Sequence, residues 1–230
     1  MTEKLQLLSE LYCEITAQIA RFQACTNIFC LTGCGECCLR FEPYISVLEA
    51  FLVVEDFHRR GQLDILYRFR PDKQEILCPF YDPYTPFHCT IHPIRPLICR
   101  LFAFAAKQNG ARIEYSPCLL IELHDPKAVA LARRLVPGTI TIPVYPQAYQ
   151  RLCAIDFALA TDLHPLTDSL AIALRHRADI EAGCYPPAPA AIGGQSPSSK
   201  LISQTSSLAD LVREQLTAGE HCHACEGRNP

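Results

Sequence analysis

Cys30-Leu31-Thr32-Gly33-Cys34-Gly35-Glu36-Cys37-Cys38 gathers four thiols and two glycines into one short stretch. It reads as a loop, because Gly33 and Gly35 let the backbone take positive φ and fold tightly around an ion. Four more cysteines follow at wider spacing: Cys78, Cys89, Cys99 and Cys118. A CxxC step such as Cys34 to Cys37 lets two sulfurs of one turn face one ion, and tetrahedral zinc sites join such a step to a distant second pair. Thiolate is the ligand state, and soft sulfur suits zinc, copper(I) and iron–sulfur clusters.

Outward from this stretch the periodicity is helical. Leu8, Leu11, Ile15, Ile19 and Phe22 recur at three- and four-residue intervals and predict an amphipathic helix over 1–25 that stops near Cys25-Thr26-Asn27. Downstream, Ser46-x-x-Glu49 is a capping box that opens a second helix ending at Arg59-Arg60-Gly61. From Cys78 to Cys118 the texture changes, and Pro79, Pro83, Pro86, Pro93 and Pro96 forbid a long helix. Asn109-Gly110 predicts a type I′ hairpin. A hairpin symmetric about that pair sets residue 101 opposite residue 118, so Cys99 and Cys118 become diagonal neighbours on one face. Helices are expected over 127–135, 147–160 and 166–182, a flexible linker over 186–200, and a short amphipathic helix over 208–216. The expected fold is mainly α, with a cysteine-rich irregular central region and one small β-hairpin, stabilised by metal. The expected organisation is an N-terminal helix (1–25), a cysteine-cluster domain (26–122), a helical extension (123–185), and a linker and tail (186–230).

Composition narrows the class. At 230 residues with net charge -3, and with basic residues scattered rather than gathered into a stripe, nothing points to nucleic acid or an anionic membrane. Met1-Thr2-Glu3-Lys4-Leu5 lacks the basic-then-apolar character of a signal peptide, and no run approaches the roughly 18 to 20 apolar residues of a membrane helix. The expected compartment is the cytoplasm, where thiols stay reduced, so the 14 cysteines read as metal ligands or redox thiols ahead of disulfides.

The candidate metal ligands are Cys30, Cys34, Cys37, Cys38, Cys78, Cys89, Cys99 and Cys118. Eight thiols exceed one four-ligand site, and in an extended chain adjacent Cys37 and Cys38 do not both turn toward one ion. Arg95 and Arg100 bracket Cys99 and are placed to offset the negative charge of clustered thiolates, with Arg40 beside Cys38 in the same position. His88 and His92 flank Cys89; imidazole ligates zinc and iron, but isolated histidines usually do not, so neither joins the set. The terminal His221-Cys222-His223-Ala224-Cys225 has compact ligand spacing that suits weak metal binding. Cys13 and Cys25 read as core, and Glu55-Asp56 as a solvated helix face. No Ser-His-Asp set, phosphate-cradling glycine loop or HExxH segment suggests other catalytic machinery.

Cys30-x3-Cys34-x2-Cys37-Cys38, Cys78-Pro79-Phe80, Cys89-x-Ile91-His92-x2-Arg95-Pro96-x2-Cys99-Arg100-x-Phe102 and Cys118 together resemble the YkgJ-type cysteine-cluster family of zinc- or iron-chelating domains. His92 stands where that family usually has tyrosine. The resemblance covers about residues 26 to 122 and implies metal chelation, with zinc or iron (including a 4Fe-4S cluster) as cofactor and a metal ion as partner. It implies no reaction. Cys30-x3-Cys34-x2-Cys37 also has radical-SAM spacing, but Glu36 replaces the usual aromatic and no repeated βα units follow. The flagellin lysine N-methylases look loosely similar through a comparable cluster. They supply the alternative reading, an iron–sulfur enzyme acting on a protein substrate, although this chain has no tryptophan and lacks their length.

Overall fold

A computed structural model describes residues 1–40, 42–69, 78–136, 138 and 140–181. The expected linker, the 208–216 helix and the His221–Cys225 tail lie outside the described residues.

Helix α1 (Thr2–Thr26) buries Leu5, Leu8, Leu11, Tyr12, Ile15, Ile19 and Phe22 on one face, as its periodicity predicts. It stops where Asn27 takes φ 57 and its N–H bonds to the Gln23 carbonyl, a left-handed cap that asparagine tolerates. The cysteine stretch is not all loop. Glu36–Arg40 forms a single helical turn, α2, held by an Arg40–Glu36 ion pair of 3.2 Å. A four-residue spacing of opposite charges favours that turn over extended chain.

The short strand β1 (Tyr44–Ser46) leads into α3 (Val47–Arg59), which is capped by Ser46 and Glu49 as the sequence predicts. Val47, Leu48, Ala50, Phe51, Leu52, Val53, Val54 and Phe57 are all buried, so α3 is apolar on nearly every side and is the central helix of the fold. Helix α4 (Leu63–Leu66) follows. The proline-rich segment then yields only a 3-10 turn (His92–Ile94) and α5 (Leu97–Leu101), which begins at Pro96. Beyond it come strands β2 (Ala106–Asn109) and β3 (Arg112–Tyr115), helices α6 (Leu119–His124), α7 (Pro126–Leu135), α8 (Tyr145–Ile155) and α9 (Phe157–Thr161), strand β4 (Leu163–Pro165) and helix α10 (Leu166–Glu181).

Three details differ from expectation. The hairpin pairs Asn109 with Arg112 and Ala106 with Tyr115, so its turn is Gly110-Ala111 and not Asn109-Gly110. Gly110 has φ 60 and Ala111 does not share the positive φ that a type I′ turn requires. Because Pro96 starts a helix, Cys99 lies on α5 and outside the hairpin, and the strand-diagonal pairing of Cys99 with Cys118 does not form. Second, the 147–160 helix is broken at Asp156, whose carboxylate caps α9 by accepting from the Leu159 N–H at 3.0 Å. Third, a second strand pair is present, with β1 antiparallel to β4. Each strand feeds a helix, and the pair caps both helices reciprocally: Val47 N–H donates to Asp162 O at 3.0 Å, and Leu166 N–H to Pro43 O at 2.9 Å.

One continuous core runs from Leu5 on α1 to Leu174 on α10 and includes Cys78, Phe80, Ile91, Leu97, Ile98 and Leu101 from the cysteine-bearing middle. Inside it sits a charge. The Glu49 side chain accepts from Ser46 N–H (3.0 Å), Ser46 Oγ (2.7 Å), Tyr12 Oη (2.8 Å) and Leu97 N–H (2.6 Å). Arg100 stacks its guanidinium on the Tyr12 ring, 4.2 Å from the centroid. No helix among the described residues is long and apolar enough to cross a membrane.

Tyr12→Phe keeps the ring under Arg100 and removes one donor from a buried carboxylate. It is expected to cost about 1.5–3 kcal/mol in urea unfolding, and a change within error would show that Glu49 is satisfied without it. Asp156 has a carboxyl held below the ordinary 3.8, because the Leu159 N–H and the Lys4 ammonium (2.5 Å) outweigh its burial. A lowered folded pKa gives stability that is present above the unfolded pKa and lost as pH falls through the folded value. Asp156→Asn should therefore be less stable than the parent at pH 7, and the difference should shrink below about pH 4. A pH-independent gap would assign the effect to the cap alone.

Candidate metal centre

The site is assembled from five segments of the core's rim. Cys30 follows the α1 cap, and a turn closed by Cys34 N–H to Leu31 O (3.1 Å) brings Cys34 back toward it. Gly33 (φ 67) and Gly35 (φ 59) supply the left-handed residues this turn needs, and Cys38 N–H to Gly35 O (2.9 Å) starts the α2 turn. On that turn Cys37 and Cys38 project to neighbouring positions, with their sulfurs 3.8 Å apart. Two sulfurs bound to one zinc at about 2.3 Å with tetrahedral angles stand about 3.8 Å from each other. Helical backbone removes the obstacle that extended chain presents to this pair.

Cys78 is pinned to Cys38 by its backbone: Cys78 N–H donates to Cys38 O at 2.9 Å. The chain from there makes a closed loop, pinched by a bridge between Tyr81 and Cys89 and by Thr90 N–H to Phe80 O at 3.0 Å. Cys99 rides on α5, and Cys118 sits at the cap of α6.

The electrostatics show which thiols share space. The Cys34 thiol donates to Cys30 and so lowers the Cys30 pKa, while Cys34, as donor, is raised. Cys37 is raised by its contact with the Cys38 sulfur and by burial. Cys38 gains from Cys37, but the bond from Cys38 to Cys78 and burial outweigh that and push it up to about 12. Burial raises Cys89, Cys99 and Cys118. The charge of Cys37 acts on Cys30, Cys89, Cys99 and Cys118, and Cys37 itself feels Cys38 and Cys34. Cys78 joins through Cys38. Cys30, Cys34, Cys38, Cys89, Cys99 and Cys118 thus lie within electrostatic reach of Cys37, and Cys78 within reach of Cys38. Cys13 and Cys25 are exposed on α1 and not in the core as expected, because they lie off its apolar stripe, and Cys153 is half-buried on α8.

Arg95 lies among these thiols: burial lowers its pKa, and Cys99, Cys89, Cys37 and Cys30 oppose that. It donates to His92 Nε2, and Phe87 stacks on the same imidazole with centroids 4.0 Å apart. Burial first, then Arg95 and Arg100, lower His92 to about 4, so it is neutral with that nitrogen engaged. Arg100 faces the other way, toward α1, donating to Thr16 Oγ1 at 3.0 Å and to the Pro93 carbonyl. His88 takes φ 51 and lays its ring across the glycines of the cysteine turn. Its edge-on partner is Tyr81, 5.8 Å between centroids. Sequence alone pointed to neither Tyr81 nor this placement of His88, which depend on the loop closing between Tyr81 and Cys89.

Among the described residues, no three His, Cys, Asp or Glu side chains close on one point as a ready ligand set. The donor set nevertheless fits a soft cation. It has a sulfur pair at coordination spacing, further thiols within electrostatic reach of it, and a glycine turn that an imidazole ring closely approaches. A bound cation reverses the proton balance, since ligating thiols are deprotonated outright.

The family model described as "CxxCxxCC: Putative zinc- or iron-chelating domain" matches residues 29–118, which span all eight of these cysteines. No curated protein and no solved structure matches the chain.

The fit of the glycine turn is testable. A Cβ on Gly35 would lie 2.8 Å from both His88 Nδ1 and Tyr81 Cε2, whereas one on Gly110 meets nothing within 4 Å. Both positions have positive φ. Gly110→Ala is expected to cost about 1–2 kcal/mol, and Gly35→Ala at least about 1 kcal/mol more for the added overlap. Equal losses in urea unfolding would mean that the turn has slack.

Proposed function

We propose that this protein is a thiolate chelator of zinc or iron, and that it draws its ligands from Cys30, Cys34, Cys37, Cys38, Cys78, Cys89, Cys99 and Cys118. The Cys37–Cys38 sulfur pair, 3.8 Å apart, is the observation that carries the reading; Cys30, Cys34, Cys89, Cys99 and Cys118 within electrostatic reach of Cys37 and the match to a chelating domain agree with it. Eight donors exceed one four-coordinate ion or one four-cysteine cluster, so either two ions or clusters are held or several of the eight stand beside the site without ligating. Arg95 sits among the thiols and offsets part of their charge when they ionise. Arg100 acts less directly, by fixing α5 and hence Cys99 to α1 through Thr16 and Tyr12. The cation, when bound, keeps the thiolates ionised and cancels their mutual repulsion. No observation favours the lysine N-methylase alternative, because the match carries chelation and no reaction.

The test is anaerobic purification with metal, acid-labile sulfide and visible-absorption analysis of the full chain. Stoichiometric zinc or iron is expected. Cys37→Ser should weaken retention at least about tenfold, while Cys13→Ser should leave it unchanged. Iron with acid-labile sulfide and a brown colour would make the centre an iron–sulfur cluster, and a colourless zinc protein would make it a thiolate zinc site. A chain that takes up neither metal, with thiols equally reactive in the presence of either, overturns the proposal.

A further inference from the structure

We infer that His88 supplies an imidazole nitrogen to the metal centre, making its donor set mixed nitrogen and sulfur. This rests on the chelation reading above and deepens it.

His88 combines three features that bear on the centre. Its Nδ1 is buried and has no hydrogen-bond partner. A buried imidazole nitrogen without a partner is costly, and a bound cation is one group that satisfies it. Its backbone holds φ 51, an uncommon left-handed conformation that histidine takes more readily than most non-glycine residues. The loop imposes it here: His88 N–H donates to Thr85 O at 3.1 Å, Asp82 N–H donates to His88 O at 3.2 Å, and the next residue, Cys89, is bridged to Tyr81. The outcome is a ring lying over the cysteine turn. A Cβ on Gly35 would come within 2.8 Å of Nδ1, and one on Gly33 within 3.6 Å of Cε1 and Nε2. Gly33 and Gly35 bracket Cys34, so the orphaned nitrogen is set against the turn that presents Cys34 and Cys37.

His92, on the other side of Cys89, is the natural contrast. Arg95 occupies its Nε2, and Phe87 covers its face. Of the two histidines beside Cys89, only His88 keeps its buried nitrogen unengaged.

Imidazole in place of one thiolate changes the chemistry of the centre. Three thiolates and one neutral imidazole leave zinc with one negative charge fewer than four thiolates do. On an iron–sulfur cluster, histidine in place of cysteine raises the reduction potential.

The experiment is zinc K-edge X-ray absorption on the zinc-loaded full chain, read together with zinc affinity by chelator competition. The wild-type protein should show sulfur at about 2.3 Å, nitrogen at about 2.0–2.1 Å and the outer-shell scattering of an imidazole ring. His88→Asn is the test variant, because asparagine tolerates the left-handed backbone and keeps the loop folded. It should lose the ring scattering and bind zinc at least about tenfold more weakly. His92→Ala and the tail double variant His221→Ala/His223→Ala should keep the ring scattering. Ring scattering that persists in His88→Asn, or a wild-type shell of sulfur alone with zinc bound, overturns the inference and leaves chelation standing. A wild-type chain that holds no zinc or iron overturns both.

Discussion

The Glu49 carboxylate, buried in the core, accepts four hydrogen bonds from three separate segments. Removing such a group from water is costly unless its lone pairs are filled, so the chain is committed to bringing every donor to it. Ser46 closes the α3 cap locally. Tyr12 draws α1 onto α3, and the Leu97 N–H brings the start of α5 to the same oxygen as Tyr12. Pro96 and the 3-10 turn before it deliver that N–H unpaired to the carboxylate. The segment carrying Cys99 is thus fixed by a polar contact in the protein core.

The same charge also makes the neighbouring thiol site less hospitable to anions. Glu49 raises the Cys99 pKa, after burial and the thiols of Cys37, Cys38 and Cys89. Arg95 pulls in the opposite direction on the thiols around it. In the proposed chelator, burial pushes the Cys89, Cys99 and Cys118 thiols up, so uptake of a cation by these sulfurs releases their protons. The segments that carry them also pack on the common core.

Much of this architecture is legible in the sequence where a local rule governs. The α1 stripe and the Asn27 stop, the Ser46–Glu49 box and the general course of α7 and α10 all follow from spacing and capping. The order and spacing of the cysteines likewise mark the region that the family model matches. Legibility fails where tertiary contacts decide. Strands of three residues, β1 and β4, carry too little alternation to be seen, and they exist because each caps the other's helix. The hairpin register moved because Gly110, and not Asn109, takes the positive φ. Glu49 was visible as a cap but not as the partner of Tyr12 and Leu97, which lie 37 and 48 positions away.

The bond between the Cys78 N–H and the Cys38 carbonyl has a kinetic consequence. It tethers a donor from a distant part of the chain through backbone, so that its sulfur stays beside the centre even when unbound. In the proposed chelator, a metal–sulfur bond that breaks leaves the free thiolate at high local concentration, where rebinding outruns escape. Residence time then exceeds what any single sulfur confers, and exchange with an outside acceptor proceeds by stepwise ligand transfer rather than by release of a bare ion.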